Sequence, residues 1–480
     1  MPLPVISIAQ MREWETATWA AGRTEAEVIH RVGERIGQQA LKLTQPGDRI
    51  LILAGKGHNG EDARCAREVL TERRAEVLEV AEPEADLPRL EALLSSQPAL
   101  IIDGLFGIGL NRPLSPQWVA FIQRVNRARA QLLAVDVPSG LDADTGRPYG
   151  MALRATVTLT VGAPKTGLLQ EQAWPFVGRL EVAGDVGLIP CPCRSELQWT
   201  LPEDFAGFPP PRPVGTHKGT YGHLALVAGS AGFHGAAVLA ARSAQRAQPG
   251  LITLYTMEKA YGPAASQLQA VMVSPWQPDA SLPGAASAVL VGPGLAGSEV
   301  SKELKTAVVD LWLGCPRPVI ADASALDWLP PRAVAGGALR VITPHPGEAA
   351  RMLGTTSQRI QEHRLRALRS LSTRFSNAWV VLKGHQTLLG RSTGEVFVNC
   401  SGNPHLAQGG SGDVLAGFSA GLLAQPALCG DPLLTLRYAV WQHGVAADEL
   451  QRTRRNWVVE DLLGELGNQH PTGSGSVASR

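Results

Sequence analysis

Cysteine is scarce. Six in 480 residues do not make the disulfide framework that staples small secreted domains. No run reaches the roughly 18–20 apolar residues of a membrane helix; the apolar stretches are short and cut by Gly, Pro or charge. An excess of either charge is also missing. The 44 Lys and Arg face 43 Asp and Glu, a formal net charge of +1, so composition gives no support to a field that would draw the chain to nucleic acid or an anionic membrane. A local anion pocket is untouched by that balance. The 51 Gly and 35 Pro stay below the ~25–30% share that marks low-complexity chains. No basic leader precedes an apolar stretch in MPLPVISIAQMREWE, so a cytoplasmic location is expected. Lysine is rare, with eight among the 44 basic residues, so each lysine in a Gly-rich segment is a candidate functional group.

What is present is length and alternation. At about 150 residues per domain, the chain predicts two to four domains. The first 45 residues read as helical, with Val28, Val32 and Ile36 at spacing four on one face. RILILAG (49–55), ALIIDG (99–104), LLAVDVPSG (132–140) and ATVTLTVG (155–162) read as buried strands, and Asp62 to Leu70 as a helix. A PPPRP run follows. Each proline removes a backbone donor, so the boundary is placed near residue 208, giving domains 1–208 and 209–480. A second series then begins: HLALVAGS (223–230), GLITLY (250–255), AVLVGPG (288–294), RPVIADAS (317–324), LRVITPHPGE (339–348) and WVVLKG (379–384), closed by GGSGDVLAGFSAGLLAQ (409–425) with Val414, Phe418 and Leu422 on one helical face. Strands alternating with helices predict two α/β domains, each a parallel sheet covered on both faces. No motif repeats between them. The tail from about His470 is polar and reads as a frayed end.

Ligands of open α/β sheets bind beyond the carboxyl ends of the strands. In the first domain, AGKGHNGEDA (54–63) puts Asn59 and Asp62 in the first strand–helix turn. Backbone N–H groups converging there, with a helix N-terminus, suit a phosphate or pyrophosphate. The segment is neither a GxGxxG fingerprint nor a Walker loop, and an ordinary tight turn is the plain alternative. Asp103 and Asp136 each end an apolar run. Two acids at neighbouring strand ends hold a cation or move protons, or each fixes a loop. The Cys191–Pro192–Cys193 pair has no second pair nearby and reads as no metal site.

AQMREWE, GKGHNGEDA, DGLFGIGLNRP, AVDVPSGLDADTG and TVTLTVGAPKTGLL, in that order over about residues 5–190, resemble the NAD(P)HX epimerase family, whose fold is Rossmann-like. The resemblance implies R/S interconversion at C6 of hydrated nicotinamide cofactors. It implies that Asn59, Asp103 and Ser139 help bind K⁺. It also implies that His58, Asn59, Gly60, Glu61 and Asp62, the loop Gly107, Ile108, Gly109, Leu110, Asn111, Arg112 and Pro113, and Asp136 contact the substrate, with Asp136 handling the proton. His58 and Glu61 stand where the family has Asn and Gly. Glu61 adds a negative charge near an expected pyrophosphate, which weakens binding unless the side chain faces water.

In the second domain, Gly409, Gly410 and Gly412 place bare N–H groups just before a helix, an anion hole for a phosphoryl group. Asp413, in the first turn, can take a hydroxyl proton while those donors hold phosphate oxygens; a capping role is the plain alternative. Lys383 ends an apolar strand, within reach of a nucleotide phosphate. HKGTYG, VAGSAGFHGAA, GPGL, DASAL, TPHPGE, LKG and NPHLAQGGSGDVLAG occur in order from about His217 to Asp448. They resemble the ADP-dependent NAD(P)HX dehydratase family of the ribokinase-like superfamily. The resemblance implies ADP-driven removal of water from the S form of hydrated NADH or NADPH, with Mg²⁺ beside the nucleotide phosphates and a homo-oligomeric assembly. Asp413 becomes the base, Gly412 part of the anion hole, and Lys383, Gly384, His385, Gln386 and Thr387 the nucleotide site. Ala236, Gly294 and His345 become contacts of the hydrated cofactor. The competing reading is a ribokinase-like small-molecule kinase carrying a non-catalytic N-terminal binding or assembly domain.

Overall fold

The protein is described by a computed structural model covering residues 3–278, 282 and 284–471; the polar tail beyond Pro471 lies outside the described residues. The chain divides into two compact units, Leu3–Glu196 and the chain from Leu197 onward.

In the N-terminal unit, six strands form one parallel sheet: β1 (Arg49–Ala54), β2 (Arg74–Glu79), β3 (Leu100–Gly104), β4 (Gln131–Val135), β5 (Val157–Val161) and β6 (Arg179–Ala183). The order is β2-β1-β3-β4-β5-β6. The central strands are buried along nearly their whole length, as their unbroken apolar runs require of a sheet covered on both faces. Two helices precede it, α1 (Ile8–Ala20) and α2 (Glu25–Leu43), each opened by a capping box. Val28, Val32, Ile36 and Ala40 of α2 are buried against the sheet. The next helix, α3 (His58–Cys65), is capped by Gly57 and begins ahead of the expected Asp62. His58 to Asp62 are therefore its first turns and not a loop, and its last residues continue as a short 3-10 segment, Ala66–Glu68.

In the C-terminal unit the strands are β7 (Leu197–Trp199), β8 (His223–Val227), β9 (Leu251–Thr256), β10 (Met272–Pro275), β11 (Ala288–Val291), β12 (Val319–Ala321), β13 (Arg340–Ile342), β14 (Trp379–Leu382), β15 (Leu388–Gly390) and β16 (Val396–Val398). They order as β7-β16-β15-β14-β13-β12-β11-β8-β9-β10, parallel except where β15 reverses against β14 and β16. The division of the chain falls before the Pro-rich run, not at residue 208. The reason is packing: β7 pairs with β16, Phe205 is buried against Tyr438 and Trp441, and Asp204 forms an ion pair with Arg437. Pro209 to Pro213 are exposed and outside regular structure. Among the described residues no helix is long and apolar enough to cross a membrane.

The glycine-led helix α10 (Ser411–Leu423) lies between α6 (His234–Arg246) and α11 (Pro432–Thr453). The one-sided spacing Val414, Phe418, Leu422 is only part of its buried surface, since Val414 to Leu423 are buried without a break. Gly417 makes this approach possible: a Cβ there would lie 2.0 Å from the Ala240 carbonyl oxygen and 2.2 Å from Ser243 Oγ. Gly417→Ala is therefore expected to force α6 and α10 apart and destabilise the C-terminal unit by about 1–3 kcal/mol, read as a lower denaturation midpoint; an unchanged midpoint would contradict this packing.

Candidate active sites

Parallel strands bring their carboxyl ends to one edge, and in the N-terminal unit that edge gathers the acids. Asp103 ends β3 and is wholly buried. Ser139 donates to it from its N–H at 2.8 Å and its Oγ at 2.6 Å, and Leu105 from its N–H at 3.2 Å. Asn59 Nδ2 donates to the Phe106 carbonyl at 3.0 Å, and Phe106 N–H donates to Ser139 Oγ at 2.8 Å. Asn59, Asp103 and Ser139 are thus brought together around residues 104–106. Burial lifts the Asp103 carboxyl to about 6, against the pull of the Ser139 and Leu105 donors. Among the described residues no cationic side chain pairs with it.

Asp136 follows β4 with φ +63, a left-handed conformation uncommon for a residue with a side chain. Its Oδ1 accepts from Val161 N–H at 2.9 Å, Thr160 Oγ1 at 3.1 Å and Lys165 Nζ at 2.5 Å. Lys165 has no exposed surface, and it also donates to the Val161 carbonyl at 2.7 Å. A wholly buried ammonium is tolerated only when paired and hydrogen-bonded, and this pair meets both conditions. Lys165 is not among the site residues that the motifs suggested; its signal was rarity, one of eight lysines, four residues beyond the end of β5.

A cavity of about 610 Å³ opens beside this pair. His58, Asn59, Asp62, Gly107 to Arg112 and Asp136 line it, joined by Glu15 and Met11 of α1. Burial and then the Asp136 carboxylate push the Asp62 carboxyl well above the ordinary range and raise that of Glu15. His58 sits 3.2 Å from Glu25 in an exposed pair. Gly60, Glu61 and Pro113 are not among the lining residues. Gly60 is packed instead: a Cβ there would lie 2.1 Å from the Gly55 carbonyl oxygen. Glu61 is exposed and solvated, outside the lining of the cavity. Glu61→Gly is accordingly expected to leave substrate affinity within about twofold, a surface substitution being worth within about ±0.5 kcal/mol; titration of hydrated cofactor onto the variant checks this, and a marked tightening would place the side chain at the ligand.

In the C-terminal unit the centre forms where β12, β14 and α10 end or begin. Lys383 follows β14 and donates from Nζ to Asp322 Oδ1 at 2.8 Å; Glu348 Oε2 is 3.8 Å away. Thr343 Oγ1 donates to the same Asp322 oxygen at 2.6 Å. Gly410 has φ +93 and starts α10, which sets Asp413 in its first turn. A Cβ on Gly412 would stand 3.2 Å from Lys383 Nζ, so the ammonium meets bare backbone. Burial works against the Lys383 charge, yet Asp322, Glu348 and Asp413 outweigh it and hold its pKa above the ordinary lysine value. Burial, with Asp322 and Glu348 opposed by Lys383, lifts the Asp413 carboxyl to about 7. A carboxyl so placed is near the pKa a general base needs at neutral pH.

Ala236 and Gly294 are neighbours: a Cβ on Gly294, whose φ is +67, would be 3.0 Å from Ala236 Cβ and 2.3 Å from the Phe233 carbonyl oxygen. His345 caps helix α8 (Pro346–Leu353), its Nδ1 accepting from Gly347 N–H at 3.0 Å, and its side chain is 52% exposed. Lys383 to Thr387 form the hairpin loop between β14 and β15, in which the Gln386 Oε1 is buried with no hydrogen-bond partner among the described residues. Neither Glu348 nor Arg364, which lies behind this loop, is among the site residues that the motifs suggested. Nor is His443, whose buried Nε2 is 3.0 Å from the Ser411 carbonyl oxygen at the start of α10.

A family model described as NAD(P)H-hydrate dehydratase matches residues 224–468, half of the chain, and one described as YjeF-related protein N-terminus matches residues 77–167. The bifunctional NAD(P)H-hydrate repair enzyme of Moorella thermoacetica is 34% identical, with 86% of each chain covered. The chain belongs to the bifunctional NAD(P)H-hydrate repair enzyme family. Both unit folds are those of the family, the first Rossmann-like and the second ribokinase-like. A ribokinase-like superfamily protein of Enterococcus faecalis, 24% identical with a TM-score of 0.50, covers 57% of this chain and 96% of its own. An ADP/ATP-dependent NAD(P)H-hydrate dehydratase from Bacillus subtilis, co-crystallised with ATP and Mg²⁺, is 30% identical, covers 54% of this chain and 92% of its own, and has a TM-score of 0.48.

Proposed function

We propose that this chain repairs hydrated NADH and NADPH, the N-terminal unit interconverting the R and S forms at C6 and the C-terminal unit dehydrating the S form at the expense of ADP. The observation that carries this reading is the set of Asp413, Lys383, Asp322 and Glu348 gathered at the glycine-led start of α10.

Water is a poor leaving group and phosphate a good one. Asp413 takes the proton of the C6 hydroxyl as that oxygen attacks the terminal phosphoryl group of ADP, whose bond to the bridging oxygen breaks to release AMP. Backbone N–H groups of Gly409 to Gly412, with Lys383, hold the phosphoryl oxygens. The ring nitrogen lone pair then expels phosphate, and loss of a proton from C5 restores the dihydropyridine. Asp322 and Glu348 are oxygen donors of the kind Mg²⁺ takes, and Mg²⁺ when bound supplies charge balance for the phosphates. In the N-terminal unit Asp136, oriented by Lys165, Thr160 and Val161, is the proton-handling group facing the cavity. Asn59, Asp103 and Ser139 would hold K⁺. Their fit rests on a buried carboxylate that pairs with no cation among the described residues and has the Ser139 hydroxyl 2.6 Å away, and the ion would supply positive charge beside the substrate. A cytoplasmic homo-oligomer is part of this reading.

The test is product analysis. Hydrated NADH is incubated with ADP and separately with ATP, and the near-ultraviolet absorbance of the dihydronicotinamide is followed. Recovery of that absorbance with release of phosphate is the expected result. A stable phosphoester without recovery would make the chain a kinase.

A further inference from the structure

The loop Lys383–Thr387 has an uncommon backbone. Gly384 takes φ +137 and Gln386, which has a side chain, takes φ +52. A non-glycine residue in the left-handed region costs energy and persists where its surroundings over-determine it. Support from within the loop is slight: Thr387 Oγ1 donates to the Gly384 carbonyl at 3.1 Å, and Lys383 N–H donates outward to the Pro344 carbonyl. The larger support comes from outside. Arg364, first residue of helix α9 (Arg364–Arg374) and only 8% exposed, sends Nη1 to the His385 carbonyl at 2.5 Å and to the Gln386 carbonyl at 3.2 Å, and Nη2 to the Leu382 carbonyl at 3.4 Å. A Cβ on Gly384 would stand 3.5 Å from the same Nη2.

We infer that Arg364 is a positioning residue for phosphoryl transfer, its guanidinium bracing two carbonyls of the Lys383–Thr387 hairpin and that of Leu382 just before it, and so holding Lys383 against Asp322, Glu348 and Gly412. The inference rests on the nucleotide-site reading above. The chemistry of the side chain suits the task. A planar fork presents several N–H donors in fixed directions, which a lysine cannot imitate. Turning the carbonyls onto a cation also leaves a net positive field at the loop, where the phosphates of a nucleotide would come. Gln386 Oε1, buried with no hydrogen-bond partner among the described residues, belongs to the same braced segment and is an acceptor that a hydroxyl or amino group of a bound nucleotide would satisfy.

The test uses the full chain with Mg²⁺ and ADP, comparing wild type with Arg364→Gln, Arg364→Lys and Arg364→Ala. A misplaced Lys383 is expected to lower kcat/KM for ADP by about 100-fold in Arg364→Gln, with a smaller loss in Arg364→Lys. R/S exchange in the N-terminal unit should be unchanged in all three. Millimolar guanidinium added to Arg364→Ala should restore part of the ADP-dependent rate, which a general loss of folding would not allow; the thermal transition of each variant is recorded alongside. Wild-type kcat/KM in Arg364→Gln, or loss in Arg364→Ala with no guanidinium response, would overturn the positioning role. Failure of the wild type itself to bind ADP would overturn the nucleotide-site reading, and the inference with it.

Discussion

Asp413→Ala is expected to lower kcat for dehydration by about 10²–10⁴-fold, the range contributed by a positioned general base, while ADP still binds. Binding survives because Lys383 keeps its partner Asp322 at 2.8 Å, and the substitution removes none of the Gly409–Gly412 backbone N–H groups. The wild-type pH profile should agree. With the carboxyl lifted to about 7, kcat/KM for dehydration rises with pH through that value toward a plateau, since the base acts only when ionised. The same shift has a stability sign. Between the ordinary carboxylate range and pH about 7 the folded chain holds a proton that the unfolded chain has released, so stability falls as pH rises across that window. Full activity in Asp413→Ala, or a pH-independent rate around neutrality, would remove the assignment.

Asp136→Asn is expected to stop R/S exchange, again by about 10²–10⁴-fold, and to leave dehydration of the S form intact. A mixed substrate should then be consumed rapidly only as far as its S fraction, with the rest following at the slow uncatalysed rate. There is a structural cost as well. Lys165 has no exposed surface, and leaving a buried charge without its partner costs about 3–5 kcal/mol. Denaturation of the N-terminal unit should show that loss. The double variant Asp136→Asn with Lys165→Met separates the two effects, because it removes the orphaned charge. Its midpoint should recover while its exchange should not. Exchange at the wild-type rate in Asp136→Asn would end the assignment of that carboxylate as the proton-handling group.

The strands were legible because burial on both faces leaves long apolar runs, as in Ile50 to Ala54 and Val380 to Leu382. The helices were legible where one face repeats, as in Val28, Val32 and Ile36. Boundaries were harder. α3 begins at His58 and not at Asp62, because two glycines and an asparagine hide a helix start that is set by the close approach of Gly60 to the Gly55 carbonyl and of the Asn59 carbonyl to Gly104. The unit division was misplaced because the Pro-rich run is an exposed segment inside the C-terminal unit, while β7 and Phe205 had already joined that unit's sheet and core.

Two α/β units, the acids at strand ends and the glycines at the start of α10 could be read from the residues alone, because they follow from local patterning and side-chain type. Which groups meet can be seen only in the folded chain: Lys165 on Asp136, Asp322 and Glu348 on Lys383, Arg364 behind the Lys383–Thr387 loop, and Glu61 exposed. The reason is that charge pairing depends on distances of a few ångströms between residues as far apart as Asp322 and Lys383, and no local spacing in a chain encodes the register and twist of the sheet that brings them together.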